Sequence, residues 1–204
     1  MNKTLTSLAL ATAVIGGVAV YKNLPTDSQP VTPVVTVNAN ANVEARQAAF
    51  TPDANVYTIS QVKGVTKACK SVGGLPDPVC NPGAIRTTDL QSICHGGSTK
   101  QFRPTSEYTT ALKKIQMVWY GMTGLLTKDV EEDHLISLEL GGHPTSPLNL
   151  WPEPWKGDYN AHIKDFVENR THKLVCAGKM DIVEAQDRIA SDWVSLGKSE
   201  GVIQ

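Results

Sequence analysis

Several features are scarce in this 204-residue chain, and each scarcity excludes something. Net charge is nearly absent, with 19 Lys and Arg against 20 Asp and Glu, a formal balance of −1. No global basic field draws the protein to nucleic acid, so any such contact must come from a local patch. Cysteine is limited to Cys69, Cys80, Cys94 and Cys176, and no two are spaced as CxxC, which argues against a zinc ribbon. No internal repeat is visible, so a solenoid is not expected. The main uncharged stretch, residues 5–20, falls short of the roughly 20 apolar residues of a spanning helix.

That stretch follows Lys3 and ends in the small residues Gly17, Val18 and Ala19. It suits an export signal over residues 1–20, or an uncleaved anchor that tethers the chain to a membrane. Either reading puts the rest of the chain outside the cytoplasm: secreted, periplasmic or at the cell surface. An even number of cysteines behind such a leader favours two disulfides, and four cysteines permit three pairings. We expect Cys69 with Cys80, closing a small Pro/Gly-rich loop, and Cys94 with Cys176, tying mid-chain to a late helix. Four buried free thiols are the alternative. Residues 21–56 are rich in Pro, Thr, Val, Asn and Ala without a sustained period and read as a flexible linker, with a short helix over 43–50. The folded domain is expected over 57–204.

Within it, residues 61–105 are loop-rich, with turn signals at Gly73-Gly74-Leu75-Pro76 and Asn81-Pro82-Gly83. A helix follows from Ser106, its inner face formed by Leu112, Ile115, Val118 and Trp119, with Lys113 and Lys114 turned away. Residues 130–140 read as a strand. Gly141-Gly142 turns the chain toward a short return strand over 148–151, which Pro152 and Pro154 should stop. A long helix begins near Asp158, with Ile163, Phe166, Val167, Leu174 and Val175 as its stripe and Gly178 as its stop. The last helix opens at Asp181 with Glu184 three residues on, and buries Ile182, Ala185, Ile189 and Trp193 before Gly197. The fold class is α+β: a hairpin–helix core, flanking helices and a disulfide-stapled loop region.

The chemistry gathers on the hairpin. Asp133 and His134 are adjacent, and Asn149 lies on the return. Phosphodiester hydrolysis needs a base near neutrality, which histidine supplies, and a cation for developing charge, which oxygen ligands can hold. Neighbours on a regular strand face opposite ways, so one shared site demands a bulge or bend at Asp133-His134. Asn149 suits holding the loop. A second metal ligand is expected from the start of the following helix: Asn160, with Asp158 and His162 as rivals. Lys164 and Arg170 are candidate phosphate contacts, and Lys100, Arg103, Lys113 and Lys114 form a possible patch. His143, His95 and His172 are expected at the surface, with a minor phosphate contact as a further role for His143.

The run Asp133-His134-Leu135-Ile136, Leu138-Glu139-Leu140-Gly141-Gly142 and Asn149-Leu150-Trp151-Pro152-Glu153 resembles the HNH endonuclease family, particularly its secreted or phage-type bacterial members. The resemblance extends over roughly residues 75–195. It implies a ββα-metal core, with His134 as general base, Asp133 and Asn160 holding a divalent ion, and Asn149 orienting the loop. The ion would be Mg²⁺ or Mn²⁺, with Zn²⁺ or Ni²⁺ as alternatives. The substrate would be nucleic acid, DNA ahead of RNA, cut with low sequence specificity. Ser137 departs from the pattern, standing where many members carry proline. A non-catalytic exported module that binds nucleic acid or protein on the same scaffold is the alternative reading.

Overall fold

The computed structural model describes residues 57–204; the expected leader, the linker and the helix over 43–50 lie outside the described residues. Four helices and one hairpin make the framework: α1 (Leu90–His95), α2 (Ser106–Trp119), β1 (Val130–His134), β2 (Leu150–Pro154), α3 (Ala161–Cys176) and α4 (Ile182–Ser199). Short 3-10 segments stand between them at Ile59–Gln61, Thr99–Phe102, Thr127–Asp129 and Leu138–Leu140. This is an α+β arrangement with a two-stranded antiparallel sheet. Among the described residues, no helix is long and apolar enough to cross a membrane.

The helices start where side chains can satisfy their free amides. Thr105 caps α2, Asn160 caps α3, and the Asp181 carboxylate accepts from Val183 and Glu184 at α4. On α4 the expected face holds: Ile182, Ala185, Ile189 and Trp193 are all buried. On the other two long helices the buried stripe is rotated from the expected one. Val118 on α2 is 74% exposed and Phe166 on α3 is 67% exposed. In their place Gln116, Lys164, Glu168 and Thr171 point inward.

Both strands differ in extent from expectation. β1 stops at His134, and residues 138–140 wind into a 3-10 turn instead of continuing the strand. β2 runs straight through Pro152 to Pro154. A two-stranded sheet has only edge strands, and an edge tolerates proline wherever the missing N–H would face away from the partner. The paired glycines are needed at the turn. Gly141 has φ 80°, and a Cβ on Gly142 would strike the Ile136 carbonyl.

The sheet separates two apolar clusters. One gathers Leu135, Ile136, Leu140, Trp151, Val167, Ile189 and Trp193 between the hairpin and helices α3 and α4. The other gathers Val62, Cys69, Cys80, Leu112, Trp119 and Leu150 on the α2 side. Adjacent Leu150 and Trp151 fall in different clusters, as strand alternation requires. Cys69 pairs with Cys80, and Cys94 with Cys176, as expected. Two disulfides suit an oxidising, extracellular type of compartment. The Cys69–Cys80 bridge spans 11 positions and its sulfurs sit in the α2-side core. Replacing both cysteines with serine should cost about 3 kcal/mol by loop-closure entropy, read as a lower urea midpoint with an m-value that does not fall, since the unfolded chain loses a constraint.

Candidate active site around His134

His134 is the last residue of β1 and is 8% exposed. Its Nε2 lies 2.9 Å from the Pro144 carbonyl oxygen. A carbonyl only accepts, so Nε2 carries the proton and Nδ1 keeps its lone pair. Among the described residues, the ring's hydrogen bond is the one made by Nε2. Burial holds the imidazole below its ordinary pKa of 6.5, with Asp133 opposing and Lys164 and Arg103 reinforcing the shift. The ring is therefore neutral at pH 7, oriented, and able to take a proton.

The loop that carries Pro144 is tied down by buried carboxamides. Asn149, fully buried, donates from Nδ2 to Ile136 O at 2.9 Å and His143 O at 3.1 Å. Its Oδ1 accepts from Ile136 N at 3.0 Å and Ala84 N at 3.4 Å. Asn81 and Gln116 each donate to the carbonyls of Pro147 and Leu150. Gln186 from α4 reaches the carbonyls of Thr87 and Leu140. The loop makes few ladder bonds of its own, and these amides supply what its backbone lacks. Asn149 thus ties the loop to the strand end and to Ala84.

Asp133 departs from expectation. The register pairs Asp133 with Trp151 and His134 with Leu150 without a bulge. Strand alternation then places Asp133 on the α3 side together with Glu131 and Glu153, while His134 shares the α2 side with Glu132 and Leu150. On the α3 side stands Lys164, fully buried. Its Nζ donates to Asp133 Oδ2 at 2.6 Å, to His134 O at 2.7 Å, and to Glu168 Oε1. Burial alone would raise the Asp133 pKa, but the Lys164 ammonium holds the carboxyl below its usual range. Burial pushes Glu168 up to about 8 and Glu153 well above the carboxylate range. Among the described residues no donor reaches either oxygen of Glu153, and burial together with the neighbouring Asp133 charge favours its protonated form.

Several expected roles are corrected by this geometry. Asn160 is the N-cap of α3: Oδ1 accepts from Ile163 N at 3.3 Å and Nδ2 donates to Gly157 O at 2.7 Å. Both ends of its amide are engaged away from Asp133. Its rivals are no closer to the role, because Asp158 is exposed and the His162 ring lies 4.7 Å from the Trp155 ring. Lys164 spends its three hydrogens on protein oxygens and has none for a phosphate. Arg170 is exposed on α3, its charge acting on Glu200 at the end of α4. Lys113 is held by the carbonyls of Thr127 and Val130, both at 3.0 Å. His143 is 3% exposed instead of facing solvent. Its Nδ1 accepts from Thr145 N at 3.2 Å and Ser146 N at 3.0 Å.

The His143 environment makes a prediction. Burial, then the neighbouring His134 and Arg86, lower its pKa to about 4. Protonation would also set an N–H against two N–H donors. The unfolded chain therefore binds this proton first, and the contribution of His143 is lost as pH falls from about 6.5 toward 4. Buried carboxyls with raised pKa values act in the opposite direction, so the effect is read by difference. The stability gap between wild type and His143→Asn should narrow steadily on going from pH 7 to pH 4 in urea melts.

The cation that the sequence left in a patch is Arg103. It is exposed, and its charge acts on His134, Glu131, Glu139 and Asp165. Arg86 stacks over the Phe102 ring at 4.0 Å, one residue from Arg103, and acts on His143. The charge of Arg103 thus reaches His134 and that of Arg86 reaches His143, which no helical or strand periodicity could have shown.

A divalent ion on Asp133 and Asn160 does not fit these residues. The Asp133 carboxylate is occupied by an ammonium, Asn160 is turned into a cap, and the pleat separates Asp133 from the His134 ring. Among the described residues, three metal-ligating side chains approach one another only at Cys94, His172 and Cys176. There the two sulfurs are bonded to each other and the ring of His172 faces the Ile93 carbonyl at 3.2 Å, so thiolate ligands are lacking while the bridge is closed. No protein-family model matches the chain, and no curated protein or solved structure matches it either.

Proposed function

We propose that the chain is an endonuclease that hydrolyses phosphodiester bonds of DNA with low sequence specificity, on an HNH-like hairpin–helix scaffold, with His134 as general base. The observation that carries this reading is the fixed tautomer of His134: Nε2 is committed to Pro144, and Nδ1 is left basic and neutral. The order of strand, glycine turn, asparagine, return strand and helix supports it. In the reaction, Nδ1 takes a proton from water as the water oxygen bonds to phosphorus. The bond from phosphorus to the leaving deoxyribose oxygen breaks, and that oxygen is protonated from solvent. Arg103 meets the phosphate charge from the exposed side, with Arg86 behind it. Asn149 and Lys164 hold the strand end and are positioning residues.

The test uses the full disulfide-bonded chain with supercoiled plasmid, and RNA in parallel. Loss of a positioned base typically slows such reactions by about 10²–10⁴-fold, so His134→Ala should show that drop with its fold intact. Equal nicking by wild type and His134→Ala, or none by wild type in any buffer, would remove the proposal. Cleavage of RNA alone would move the substrate.

The pH profile is a further expectation. Activity should rise as His134 loses its proton below pH 6.5. Burial, then Asp133 and Asp165, push Glu131 up to about 7, and Arg103 is among the charges beside it. Above that pH a new negative charge appears next to the cation that meets the phosphate, and the rate should fall. Glu131→Gln should flatten this alkaline limb and leave the acid limb in place.

A further inference from the structure

We infer that the Lys164 ammonium is the resident cation of this site and takes the place of a divalent metal, so that hydrolysis proceeds without one. The inference rests on the nuclease reading above for its activity arm and on geometry alone for its binding arm. A hard cation in a hairpin–helix site would take oxygen ligands: a carboxylate from the strand, a backbone carbonyl, and an acid from the helix. Those three atoms are present, and all three already face one positive charge: Asp133 Oδ2 at 2.6 Å, His134 O at 2.7 Å, and Glu168 Oε1.

The cation is covalently retained. Lys164 is one of the largest fully buried side chains, and its Cα belongs to α3 four residues before Glu168. Its neighbours raise its pKa above the ordinary lysine value despite burial, so the amine does not vacate the seat as a neutral group. A metal ion would have to expel this fully buried ammonium from its oxygen cage. Asn160, the ligand expected from the start of the helix, is spent on the helix cap. Lys164 also touches the His134 backbone, so the charge a metal would bring to this corner instead fixes the residue that carries the base. It is a positioning residue. Contact with the phosphate falls to Arg103.

The experiment has two arms on the full chain, first stripped of metal with EDTA. In the first, Mn²⁺ is titrated and its free-ion electron paramagnetic resonance signal recorded at equimolar protein. The expected result is no loss of signal. Uptake of one Mn²⁺ that Asp133→Asn or Glu168→Gln abolishes would overturn the inference; uptake that both variants retain belongs elsewhere and leaves it standing. In the second arm, plasmid nicking is measured in EDTA and in Mg²⁺. The rates should agree within about twofold, whereas a metal-assisted reaction would lose at least about a hundredfold in EDTA. Such a loss would overturn the inference as well. Absence of nicking in both buffers together with absence of Mn²⁺ uptake would remove the nuclease reading while supporting the exclusion of metal.

Discussion

Replacing Lys164 with alanine is expected to cost about 3–5 kcal/mol of folding stability, because removing one partner leaves buried charge uncompensated. Three oxygens lose their donor at once: Asp133 Oδ2, the His134 carbonyl and Glu168 Oε1. The side chains of Asp133 and Glu168 are only 17% and 10% exposed, so water replaces the ammonium poorly. The loss should depend on pH with a definite sign. Without Lys164 both carboxyls hold protons to higher pH than in the unfolded chain, so the variant loses stability as pH rises through their folded-state values. Urea melts should therefore show a smaller deficit at pH 5 than at pH 8. Mn²⁺ should recover part of the deficit in the variant by entering the emptied cage. A deficit below about 1 kcal/mol would mark the contacts as ordinary surface ion pairs, contrary to their burial.

Lysine at position 164 also shows where sequence reading ran out. The buried face of α3 is Ala161, Lys164, Val167, Glu168, Thr171 and Val175, a regular three–four spacing. Four of those six residues are apolar or small enough to be expected inside, but Phe166 outweighs them in any reading by hydrophobicity. Hydrophobicity alone therefore places the stripe one step around the helix. What turns it is the Asp133 carboxylate across the sheet, and a tertiary ion pair leaves no trace in local periodicity. α4 had no such competitor, and its face was legible from Ile182, Ala185, Ile189 and Trp193 alone. The hairpin was legible in position through Gly141-Gly142, whose backbone demands are local, but not in length. Strand termination at His134 is set by Asn149 Oδ1, which takes the Ile136 amide out of the ladder. The disulfide pairing was readable because one bridge closes a short Pro/Gly-rich loop and the other joins the loop region to a late helix. His143 differs from its expected surface position because its surroundings come from segments distant in sequence, Tyr57 against its ring at 5.5 Å among them.

Asn149 carries the second large expectation. It is fully buried, and alanine at this position would orphan the carbonyls of Ile136 and His143 and the amides of Ile136 and Ala84 together. Each buried, unpaired main-chain group costs about 1–3 kcal/mol. Partial relaxation of the loop lowers the sum, so Asn149→Ala should lose roughly 3–5 kcal/mol in urea melts. The loop it releases includes Pro144, whose carbonyl fixes the His134 tautomer. Nicking by the variant, measured where it remains folded, should therefore fall by about tenfold or more through lost orientation, with substrate affinity little changed. Asn149→Asp separates the two halves of the role. Its carboxylate still accepts from the amides of Ile136 and Ala84, yet sets an oxygen against two carbonyls. Protonation relieves that clash, so this variant should gain stability relative to wild type as pH falls from 7 toward 4, the sign expected when the folded state holds the acid's proton more tightly. A pH-independent difference would mean that the Asn149 amide nitrogen is not what closes the loop over His134.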